Sequence, residues 1–469
     1  MKKVIIAEKP SVAKNIADSF KVKTRRDGYF EGENYLITWA FGHLLQLLDA
    51  KDYDESMKSW KIDKFPFIPS EFKYKVKQDS MKRGEVDKGA LKQLNIIKSL
   101  IERNDVESVI SATDYDREGQ VISDELFIYL NVKKPIYRIL LNEWTENEVK
   151  KGMENLKLNS EMKALQDAGI GRQLADWIIG INLTSVATLR YGFEENKIIN
   201  IGRVLLPTLK IIYDRDKEIE NFKETSYYKY IQNFKTKDDS EFETIYYEEN
   251  EKFEDKKYLE EIKNIVKENT GKIVNKEVEK KKEYPGALFN LSNLQGYITS
   301  KYKGWTSDKV LKVAQSLYEK KFITYPRTGS MALEESLVDR AKNVLEKIKI
   351  GLPYEEEIKF IKSKRVFDNS KVESHSAIIP TYIKPTNLSD DEKIVYQAVK
   401  NRFIMQFMPV AEFEETKITI KVFNDKIKGE FRAKGRVKLI EGWRKVEKIE
   451  TKDVILPLVN LDEVLNSAG

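Results

Sequence analysis

The chain has 469 residues, 41% of them hydrophobic and 34% charged, with 82 Lys and Arg against 76 Asp and Glu. This length predicts two to four domains, and the formal charge of +6 means that nucleic-acid binding would need local basic patches. The absence of cysteine excludes disulfides, thiolate metal sites and thiol nucleophiles. Neither a signal peptide nor a stretch of about 20 apolar residues is found, so no membrane association is expected and the expected compartment is the cytoplasm.

The first predicted elements alternate between strand and helix. Residues 3–7 are typical of a short buried strand, and Pro10 then begins a helical pattern. A second unit starts at Ser108, where SVISATD favours a strand and REGQVISDELFIYL has helical spacing. Alternating strands and helices predict a parallel sheet, so residues 1–150 are expected to form an α/β domain.

Helical patterns dominate from Thr145 to about Asp216. Between Ser226 and Lys280, aromatic and β-branched residues alternate with charged ones, which predicts strands with solvated faces. Helical spacing returns at LSNLQGYITSKY and SDKVLKVAQSLYEKK, and the tail from Phe413 predicts antiparallel strands. In EFRAKGRVKLI, a period of two places four cations on one face. Phosphate contact and a solvated outer face are both open, and the solvated face is favoured; the cations are Arg432, Lys434, Arg436 and Lys438.

An acidic cluster follows the second apolar strand, in SATDYDREGQ. Asp114, Asp116 and Glu118 point to one side if the backbone stays extended, at the strand end where open parallel sheets place their sites. Glu8 occupies the equivalent position after the first strand, so four carboxylates are expected to converge and to require a cation. Oxygen ligands without nearby His or Cys suit Mg²⁺. An acidic surface loop paired with Arg117 and nearby lysines is the alternative.

A second motif, FITYPRTGS, places Tyr325 two residues before Arg327. A tyrosine can attack phosphorus if its phenol is oriented and the developing phenolate is stabilised. A guanidinium group can hold a phosphate with two hydrogen bonds and spread the charge of the transition state. Taken alone, one tyrosine among 23 is more often a packing residue.

The remaining candidates are isolated residues. His43, in TWAFGHLLQL, is interpreted as structural, because a lone histidine beside an apolar run usually is. For His375, in ESHSAIIPT, structural and functional roles are both open. Lys9 and Arg203 are either surface cations or phosphate contacts. Trp60 is either a core residue or a stacking surface for an unpaired base.

Together these motifs resemble a type IA DNA topoisomerase, most of all bacterial topoisomerase III. The resemblance runs nearly from end to end, and it is carried in this order by IAEKPSVAKNIAD, TWAFGHLLQL, ATDYDREGQ, GRQLADWIIGINLT, IGRVLLPTLKIIYDRDKEIENF, LFNLSNLQ, AQSLYEKKFITYPRTGS and HSAIIPT. Each segment is a weak match by itself, whereas the ordered set is highly specific.

The resemblance implies a multidomain chain, with an N-terminal TOPRIM α/β domain followed by a toroidal type IA topoisomerase core of mainly α and β domains. The implied ranges are 1–150 for the TOPRIM domain with its metal site, 151–216 for the first part of a helical single-strand-binding domain, 217–280 for the first part of a β-rich arch, 281–385 for the domain with the nucleophilic tyrosine, and 386–469 for the second part of the arch with a shortened C-terminus.

The resemblance also implies roles for single residues. Mg²⁺ would be held by Glu8, Asp114, Asp116 and Glu118. Tyr325 would take the 5′-phosphate of the broken strand, and the other catalytic groups would be Glu8, Lys9, Arg327 and His375. Contacts with the single strand would come from Trp60, Arg172, Arg203 and Arg327.

The implied activity is strand cleavage through a 5′-phosphotyrosine bond, passage of another strand through the break, and religation without ATP. A phosphotyrosine ester conserves the energy of the cleaved bond, and the chain contains no GxxxxGK[ST] phosphate loop. The implied substrates are single-stranded DNA and negatively supercoiled or catenated DNA. A helicase or a single-strand-binding protein is a candidate partner, and a monomer is expected.

Three positions depart from the family's usual residues. Leu205 replaces Gln, Gln120 replaces Glu, and Gly329 replaces Asp, and the last two put metal or water positioning in doubt. The family also normally continues past the GWR segment with a helical stretch, whereas this sequence stops at LDEVLNSAG. A natural short form, half of a split enzyme and a truncated chain are all open.

Two alternatives remain. A TOPRIM metal-dependent nuclease or primase-like protein would explain the acidic cluster but would leave Tyr325, Arg327 and His375 without a role. An inactive DNA-binding protein of a mobile element, descended from such an enzyme, would fit the short C-terminus but not the intact catalytic set.

Overall fold

The structure is a computed structural model that describes residues 1–82, 84–192, 197–372, 375–450 and 452–468. The chain folds into two compact units. The first comprises Met1–Glu220, Asn290–Leu333 and Ser370–Tyr396, and the second comprises Asn221–Phe289, Glu334–Asn369 and Gln397–Gly469. Among the described helices, none combines the length and the apolarity that crossing a membrane requires.

The strands of the described residues, numbered in chain order, are β1 (Lys2–Ala7), β2 (Thr24–Arg26), β3 (Tyr29–Glu31), β4 (Tyr35–Trp39), β5 (Leu45–Leu47), β6 (Tyr74–Val76), β7 (Val106–Ala112), β8 (Ile136–Arg138), β9 (Lys157–Leu158), β10 (Ile231–Lys235), β11 (Glu241–Tyr247), β12 (Gly271–Glu283), β13 (Ala411–Val422), β14 (Glu430–Ile440) and β15 (Val464–Ala468). The α-helices are α1 (Pro10–Ser19), α2 (Ala50–Tyr53), α3 (Lys88–Ile101), α4 (Arg117–Tyr129), α5 (Glu146–Glu154), α6 (Lys163–Tyr191), α7 (Leu205–Glu220), α8 (Lys256–Lys267), α9 (Leu291–Lys301), α10 (Ser307–Glu319), α11 (Val338–Ile348) and α12 (Asp390–Met405).

The first unit is built on a seven-stranded sheet in the order β2-β3-β4-β1-β7-β8-β9. β1 pairs in parallel with β4 and with β7, and β7 pairs in parallel with β8. Residues 4–6 and 109–110 are fully buried, as expected for central strands covered on both faces. The prediction of an N-terminal α/β fold is confirmed, and the predicted parallel pairing holds for the four central strands, whereas β2–β3, β3–β4 and β8–β9 pair antiparallel. Ala7 pairs with Ala112, so the carboxyl ends of β1 and β7 lie side by side.

The helices α5, α6 and α7 of the first unit occupy most of the stretch that the sequence predicts to be helical. α6 runs for 29 residues and packs on α4, and a Cβ at Gly169 would lie only 2.3 Å from Cγ2 of Val121. α7 differs from the other long helices of this unit, because none of its 16 residues is buried. Its exposed large apolar side chains are Leu205, Leu206, Leu209, Ile211, Ile212, Tyr213 and Ile219.

The second unit contains a closed antiparallel barrel in the order β10-β11-β14-β13-β12-β15. Phe234, Tyr246 and Phe431 are fully buried inside it. The prediction of strands alone between Ser226 and Lys280 is wrong at α8, whose side chains pack into the same core. Asp255 caps this helix by accepting a hydrogen bond from the backbone nitrogen of residue 257 at 2.8 Å.

The four cations predicted on one face of β14 lie over buried Phe431 and Ala433, and carboxylates neutralise them. The solvated-face interpretation therefore fits this strand better than phosphate contact. The ion pairs are Arg432 with Glu430 at 2.7 Å, Lys434 with Glu415 at 2.9 Å, Arg436 with Glu283 at 2.6 Å and Lys438 with Glu441 at 4.0 Å.

Candidate active site

Three acidic side chains meet at the carboxyl ends of β1 and β7. Glu8 follows β1, and its Oε2 accepts a hydrogen bond from the backbone nitrogen of Asp114 at 3.2 Å. Burial raises the pKa of Glu8, and burial together with the charges of Glu8 and Asp116 raises the pKa of Asp114 well above its usual range. Negative charge is thus concentrated away from water at one place.

The side chain of a fully buried arginine donates hydrogen bonds to the acidic loop. Nη1 of Arg138 donates to the hydroxyl of Ser111 at 2.8 Å and to the carbonyl oxygen of Thr113 at 3.0 Å, while Nη2 donates to the carbonyl oxygen of Asp114 at 2.6 Å. Burial lowers the pKa of Arg138 to about 10. The sequence reasoning missed Arg138, although a single cation in the apolar run PIYRIL signals a buried charge that needs partners.

The start of α4 fixes the position of Asp116. The Asp116 carboxylate caps the helix by accepting from the backbone nitrogen of Gly119 at 2.7 Å. A Cβ at Gly119 would lie 2.1 Å from the carbonyl oxygen of Asp114, so only glycine lets the helix begin this close to the loop. Gln120, one of the departures from the family pattern, donates to Asp124 at 2.8 Å and to Asn159 at 3.0 Å.

Tyr325 lies next to these carboxylates with only 1% of its surface exposed. Its hydroxyl donates a hydrogen bond to Oδ2 of Asp116 at 2.5 Å, and its ring packs edge-on against Tyr318 with the ring centroids 5.3 Å apart. The hydroxyl of Tyr318 in turn donates to Oδ1 of Asp114 at 3.3 Å. Burial and the charges of Asp114 and Asp116 raise the pKa of the Tyr325 phenol, whereas Arg327 opposes the shift.

Arg327 has an exposed side chain beside this buried group. Within the part of the chain that the structure describes, its guanidinium makes no ion pair closer than 4.0 Å, although its charge acts on both Glu8 and Tyr325. A cation with all its donors available, next to a buried phenol, is suited to receive a phosphate.

His375 packs directly against Tyr325, with the ring centroids 4.4 Å apart. Its Nδ1 lies 2.6 Å from Oδ1 of Asn142, and its buried Nε2 has no hydrogen-bond partner among the described residues. Burial lowers the pKa of His375 to about 4, so the ring is neutral near pH 7. The backbone carbonyl oxygen of Asn142 also accepts a hydrogen bond from the backbone N–H of Tyr325 at 3.0 Å. Asn142 therefore contacts both Tyr325 and His375, which belong to different sequence motifs.

Lys9 is not a free cation beside Glu8, Asp114 and Asp116, because it forms an ion pair with another acid. Its Nζ pairs with Oε1 of Glu319 at 2.8 Å, and Glu319 also accepts from the hydroxyl of Ser11 at 3.0 Å. Burial acts against the charged form of Glu319, but Lys9 outweighs it and lowers the pKa of this carboxyl. The structure therefore places Lys9 in an ion pair with α10, and the sequence did not single out Glu319.

The expectation that Glu118 joins the other three carboxylates is not met. The side chain of Glu118 instead accepts from Nε2 of His43 at 3.0 Å, while Nδ1 of His43 lies 3.0 Å from the buried carboxylate of Glu125. Burial alone would lower the pKa of His43, but the hydrogen bonds and charges of Glu125 and Glu118 outweigh it and raise this pKa to about 9. His43 is consequently a bridge between two acids.

A cavity of about 590 Å³ lies beside this bridge, and Arg172 and Asp176 of α6 line it. Asp176, which the sequence reasoning missed, receives two hydrogen bonds from Arg203 at 2.7 and 3.2 Å and lies 3.7 Å from Arg172. Two of the four predicted strand-binding residues, Arg172 and Arg203, are thus brought together. Trp60 is half-buried, and among the described residues it makes neither a hydrogen bond nor a ring contact.

The donor chemistry of the acidic cluster fits a hard divalent cation, because Glu8, Asp114 and Asp116 offer only carboxylate oxygens. No group of three or more Asp, Glu or His side chains among the described residues has the arrangement of a ready-made metal cage. Mg²⁺ usually takes one or two carboxylates and completes its shell with water and phosphate, so two neighbouring acids are sufficient.

The comparisons with known proteins agree with this architecture. Residues 160–469 match the family model for DNA topoisomerase, and residues 3–144 match the Toprim domain, which generally binds a divalent metal. The first match covers more than half of the sequence, and the chain therefore belongs to the DNA topoisomerase family, within the type IA class that the motifs resemble.

Individual relatives match over most of this chain. The protein named DNA topoisomerase 3 from Staphylococcus aureus strain NCTC 8325 is 35% identical over 431 residues, which are 90% of this chain and 58% of that protein. The protein of the same name from strain USA300 matches to the same extent. The chain thus spans a little more than half the length of these relatives.

Among solved structures, the full-length topoisomerase I of Thermotoga maritima superimposes with a TM-score of 0.69 at 24% identity, covering 99% of this chain and 70% of that one. This likeness confirms the predicted type IA fold class. The matches give no support to the alternatives of a nuclease or of an inactive mobile-element protein.

Proposed function

We propose that this protein cleaves and reseals one strand of DNA through a covalent bond between Tyr325 and the 5′-phosphate at the break. One observation carries the proposal: the buried Tyr325 hydroxyl lies 2.5 Å from a carboxylate oxygen of Asp116. Any buried tyrosine hydroxyl usually has a hydrogen-bond partner, but a carboxylate can also accept its proton. A nucleophilic tyrosine needs an oriented phenol and a group that accepts its proton.

The reaction is a transesterification that exchanges one phosphodiester bond of the DNA for a phosphotyrosine bond. The phenol oxygen of Tyr325 attacks phosphorus and its proton passes to Asp116, while the bond from phosphorus to the 3′-oxygen breaks. Glu8 gives the leaving 3′-oxygen its proton. Arg327 binds the phosphate and stabilises the charge of the transition state. Religation is the reverse reaction, and because the ester conserves the bond energy, no nucleotide is consumed.

His375 and Lys9 assist this transfer in different ways. Nε2 of His375 has no hydrogen-bond partner within the described ranges, and it is available to a group that enters beside Tyr325. Lys9 holds α10 through Glu319, and α10 leads directly into the segment that carries Tyr325. We therefore assign His375 a direct contact with the DNA strand. We assign Lys9 a positioning role, which ends when a phosphate competes with Glu319 for the ammonium group of Lys9.

Mg²⁺ is the cation that this site would take. Asp114 and Asp116 would hold it, with Glu8 as the third neighbour, and Glu118 stays with His43. When bound, the cation would screen the carboxylates from each other and help to hold the cleaved ends for religation.

The substrate is single-stranded DNA, or the unpaired regions of negatively supercoiled or catenated DNA. Arg172 and Arg203 already converge on Asp176, where phosphate would replace the carboxylate as their partner, and Trp60 supplies a surface for an unpaired base. We assign residues 1–150 to the TOPRIM domain, 151–216 to strand binding, 281–385 to the nucleophile, and 217–280 with 386–469 to the β-rich arch.

The test is a covalent-trapping assay. Single-stranded oligonucleotides labelled at the 5′ or the 3′ end are incubated with Mg²⁺ and either the unaltered protein or Tyr325→Phe, and the products are separated on a denaturing gel. Transfer of the label that lies 3′ of the break to the protein, absent in Tyr325→Phe, is the expected result.

Two outcomes would overturn the proposal. Cleavage without any adduct would indicate a nuclease. Binding without cleavage or adduct would indicate a DNA-binding protein that no longer reacts.

A further inference from the structure

A second cavity, of about 450 Å³, lies in the first unit away from the Tyr325 site. Three cationic side chains line it: Arg25 and Arg26 on β2, and Lys92 on α3. Asp27 is the one carboxylate of its lining, so the cavity carries a net positive charge. We call it the hairpin cavity, because the β2–β3 hairpin forms one of its walls.

The cations of the hairpin cavity are loosely held. Lys92 pairs with Asp27 at 2.8 Å, and Arg26 lies 3.4 Å from Glu31, but both cations remain more than half exposed. Arg25 makes no ion pair within 4.0 Å among the residues that the structure describes. A phosphate would gain charge-assisted hydrogen bonds here without first breaking a buried pair.

Aromatic side chains form the opposite wall. Phe41 lines the cavity with 54% of its surface exposed, so its ring is available for stacking. Trp39 also lines the cavity, and its buried indole N–H has no hydrogen-bond partner among the described residues. Buried indole N–H groups usually find an acceptor, so this wall combines a stacking face with an unused donor.

The backbone on either side of Phe41 is hydrogen-bonded to the end of β1, where Glu8 lies. The backbone nitrogen of Ala40 donates to the carbonyl oxygen of Ala7 at 2.8 Å, and that of Gly42 donates to the carbonyl oxygen of Glu8 at 3.3 Å. Phe41 therefore stands between two residues that are bonded to the end of β1. A strand whose phosphate is held at Tyr325 would reach this ring by continuing along the segment that follows β4.

We propose that the hairpin cavity binds one nucleotide of the single strand that is held at Tyr325, with the phosphate on Arg25 and the base stacked on Phe41. This inference rests on the proposed function and adds a DNA contact outside the Arg172–Arg203 region. Cations on an edge strand such as β2 also prevent pairing with other chains, but that role does not involve the ring of Phe41 in the same cavity.

The experiment measures binding separately from chemistry. In the Tyr325→Phe background, Arg25→Ala and Phe41→Ala are compared with Lys23→Ala and Tyr129→Ala, which remove an exposed cation and an exposed aromatic ring of the same unit outside the hairpin cavity. The probe is fluorescent oligo(dT) of decreasing length, titrated at several salt concentrations.

Phe41→Ala is expected to weaken binding of long oligo(dT) about tenfold, and Phe41→Trp to restore it, because stacking tolerates any aromatic ring. Arg25→Ala is expected to reduce the slope of log affinity against log salt by about 0.7, the value for one phosphate contact on a single strand. Both effects disappear on oligonucleotides too short to reach from Tyr325 to the hairpin cavity.

The inference is overturned if Arg25→Ala and Phe41→Ala bind every oligonucleotide as tightly as Lys23→Ala and Tyr129→Ala do. It is also overturned if the losses are equal on long and short probes, since the cavity would then not hold a continuation of the strand. Adduct formation by the unaltered protein on the same oligonucleotides tests the proposed function independently of these outcomes.

Discussion

Asp116 makes two hydrogen bonds that connect Tyr325 to the start of α4: it accepts from the hydroxyl of Tyr325 at 2.5 Å and from the backbone nitrogen of Gly119 at 2.7 Å. The same carboxylate therefore orients the phenol and begins α4. Any motion of the Tyr325 segment away from α4 must break the first of these bonds, while the second keeps Asp116 in place.

Replacing Asp116 separates its two tasks. Asn is as good a helix cap as Asp, so Asp116→Asn should change the free energy of unfolding by less than about 0.5 kcal/mol, whereas Asp116→Ala should lose about 1 kcal/mol. Both variants lack the proton acceptor for the phenol, and cleavage should slow by about a hundredfold in each. Urea unfolding and single-turnover cleavage measure the two quantities. Normal cleavage by Asp116→Asn would remove Asp116 from the proton transfer.

Arg327→Ala should slow cleavage about a hundredfold while changing the affinity for oligonucleotides less than about threefold, because its charge matters most in the transition state. The cleavage rate of Arg327→Lys should lie between those of the unaltered protein and Arg327→Ala, since an ammonium group keeps the charge but loses the paired hydrogen bonds. Single-turnover rates and equilibrium titrations on one oligonucleotide give both values. Equal losses in rate and affinity would assign Arg327 to strand capture alone.

Arg138→Met should lower the free energy of unfolding by about 3 kcal/mol, because it leaves the buried carbonyl oxygen of Thr113 without a donor and removes one of the two donors to the carbonyl oxygen of Asp114. Arg103→Met is the matched control. Arg103 is partly exposed and pairs with Asp105 at 2.8 Å, so its loss should be below about 1 kcal/mol. Chemical unfolding of the two variants measures the difference, and similar values would mean that the loop does not depend on Arg138.

The pKa of His375 in the folded chain, about 4, lies below its ordinary value of 6.5, so the unfolded chain binds the proton more readily between these values. Stability should therefore fall as pH drops from 7 to 4, by up to about 3 kcal/mol from this group. The neighbouring charges that act on the ring are Asp116, which opposes the shift, and Arg138, which adds to it. His375→Gln should show a smaller loss over the same range, and an unchanged pH profile would contradict the shift.

His43 should behave in the opposite sense. Its folded pKa of about 9 lies above the ordinary 6.5 because of Glu125 and Glu118. The resulting stability, up to about 3 kcal/mol, is complete below pH 6.5 and is lost as pH rises through 9. The difference in unfolding free energy between the unaltered protein and His43→Gln should therefore be large at pH 6 and small at pH 9.5. A difference that is constant across this range would exclude the charged bridge.

The sequence locates the site to the extent that local rules govern it. The carboxylates Glu8 and Asp114 are placed by strand ends, and strand ends are visible as apolar runs followed by polar residues. The prediction failed for Glu118 because α4 begins at Arg117. The two-residue side-chain spacing of an extended backbone therefore ends at Asp116. The helix turns Glu118 towards His43 instead.

Sequence patterns of this kind do not predict which distant residues pair with each other. The bond from Lys9 to Glu319 joins residues 310 positions apart, and nothing in either segment identifies the other. The helix α8 was missed for a different reason: Leu259, Ile262 and Val266 have helical spacing, but the flanking alternation of charged and aromatic residues favoured strands.

The exposure of α7 has a consequence for how firmly the proposed contact at Arg203 would hold a DNA strand. An isolated helix of about 15 residues is only marginally stable in water, and α7 has 16 residues with none buried. Its backbone amides should therefore exchange with solvent through local fraying rather than through unfolding of the unit. Arg203 lies two residues before this helix and is bonded to Asp176, so a strand bound at Arg203 would gain affinity only after the entropy of ordering α7 has been overcome.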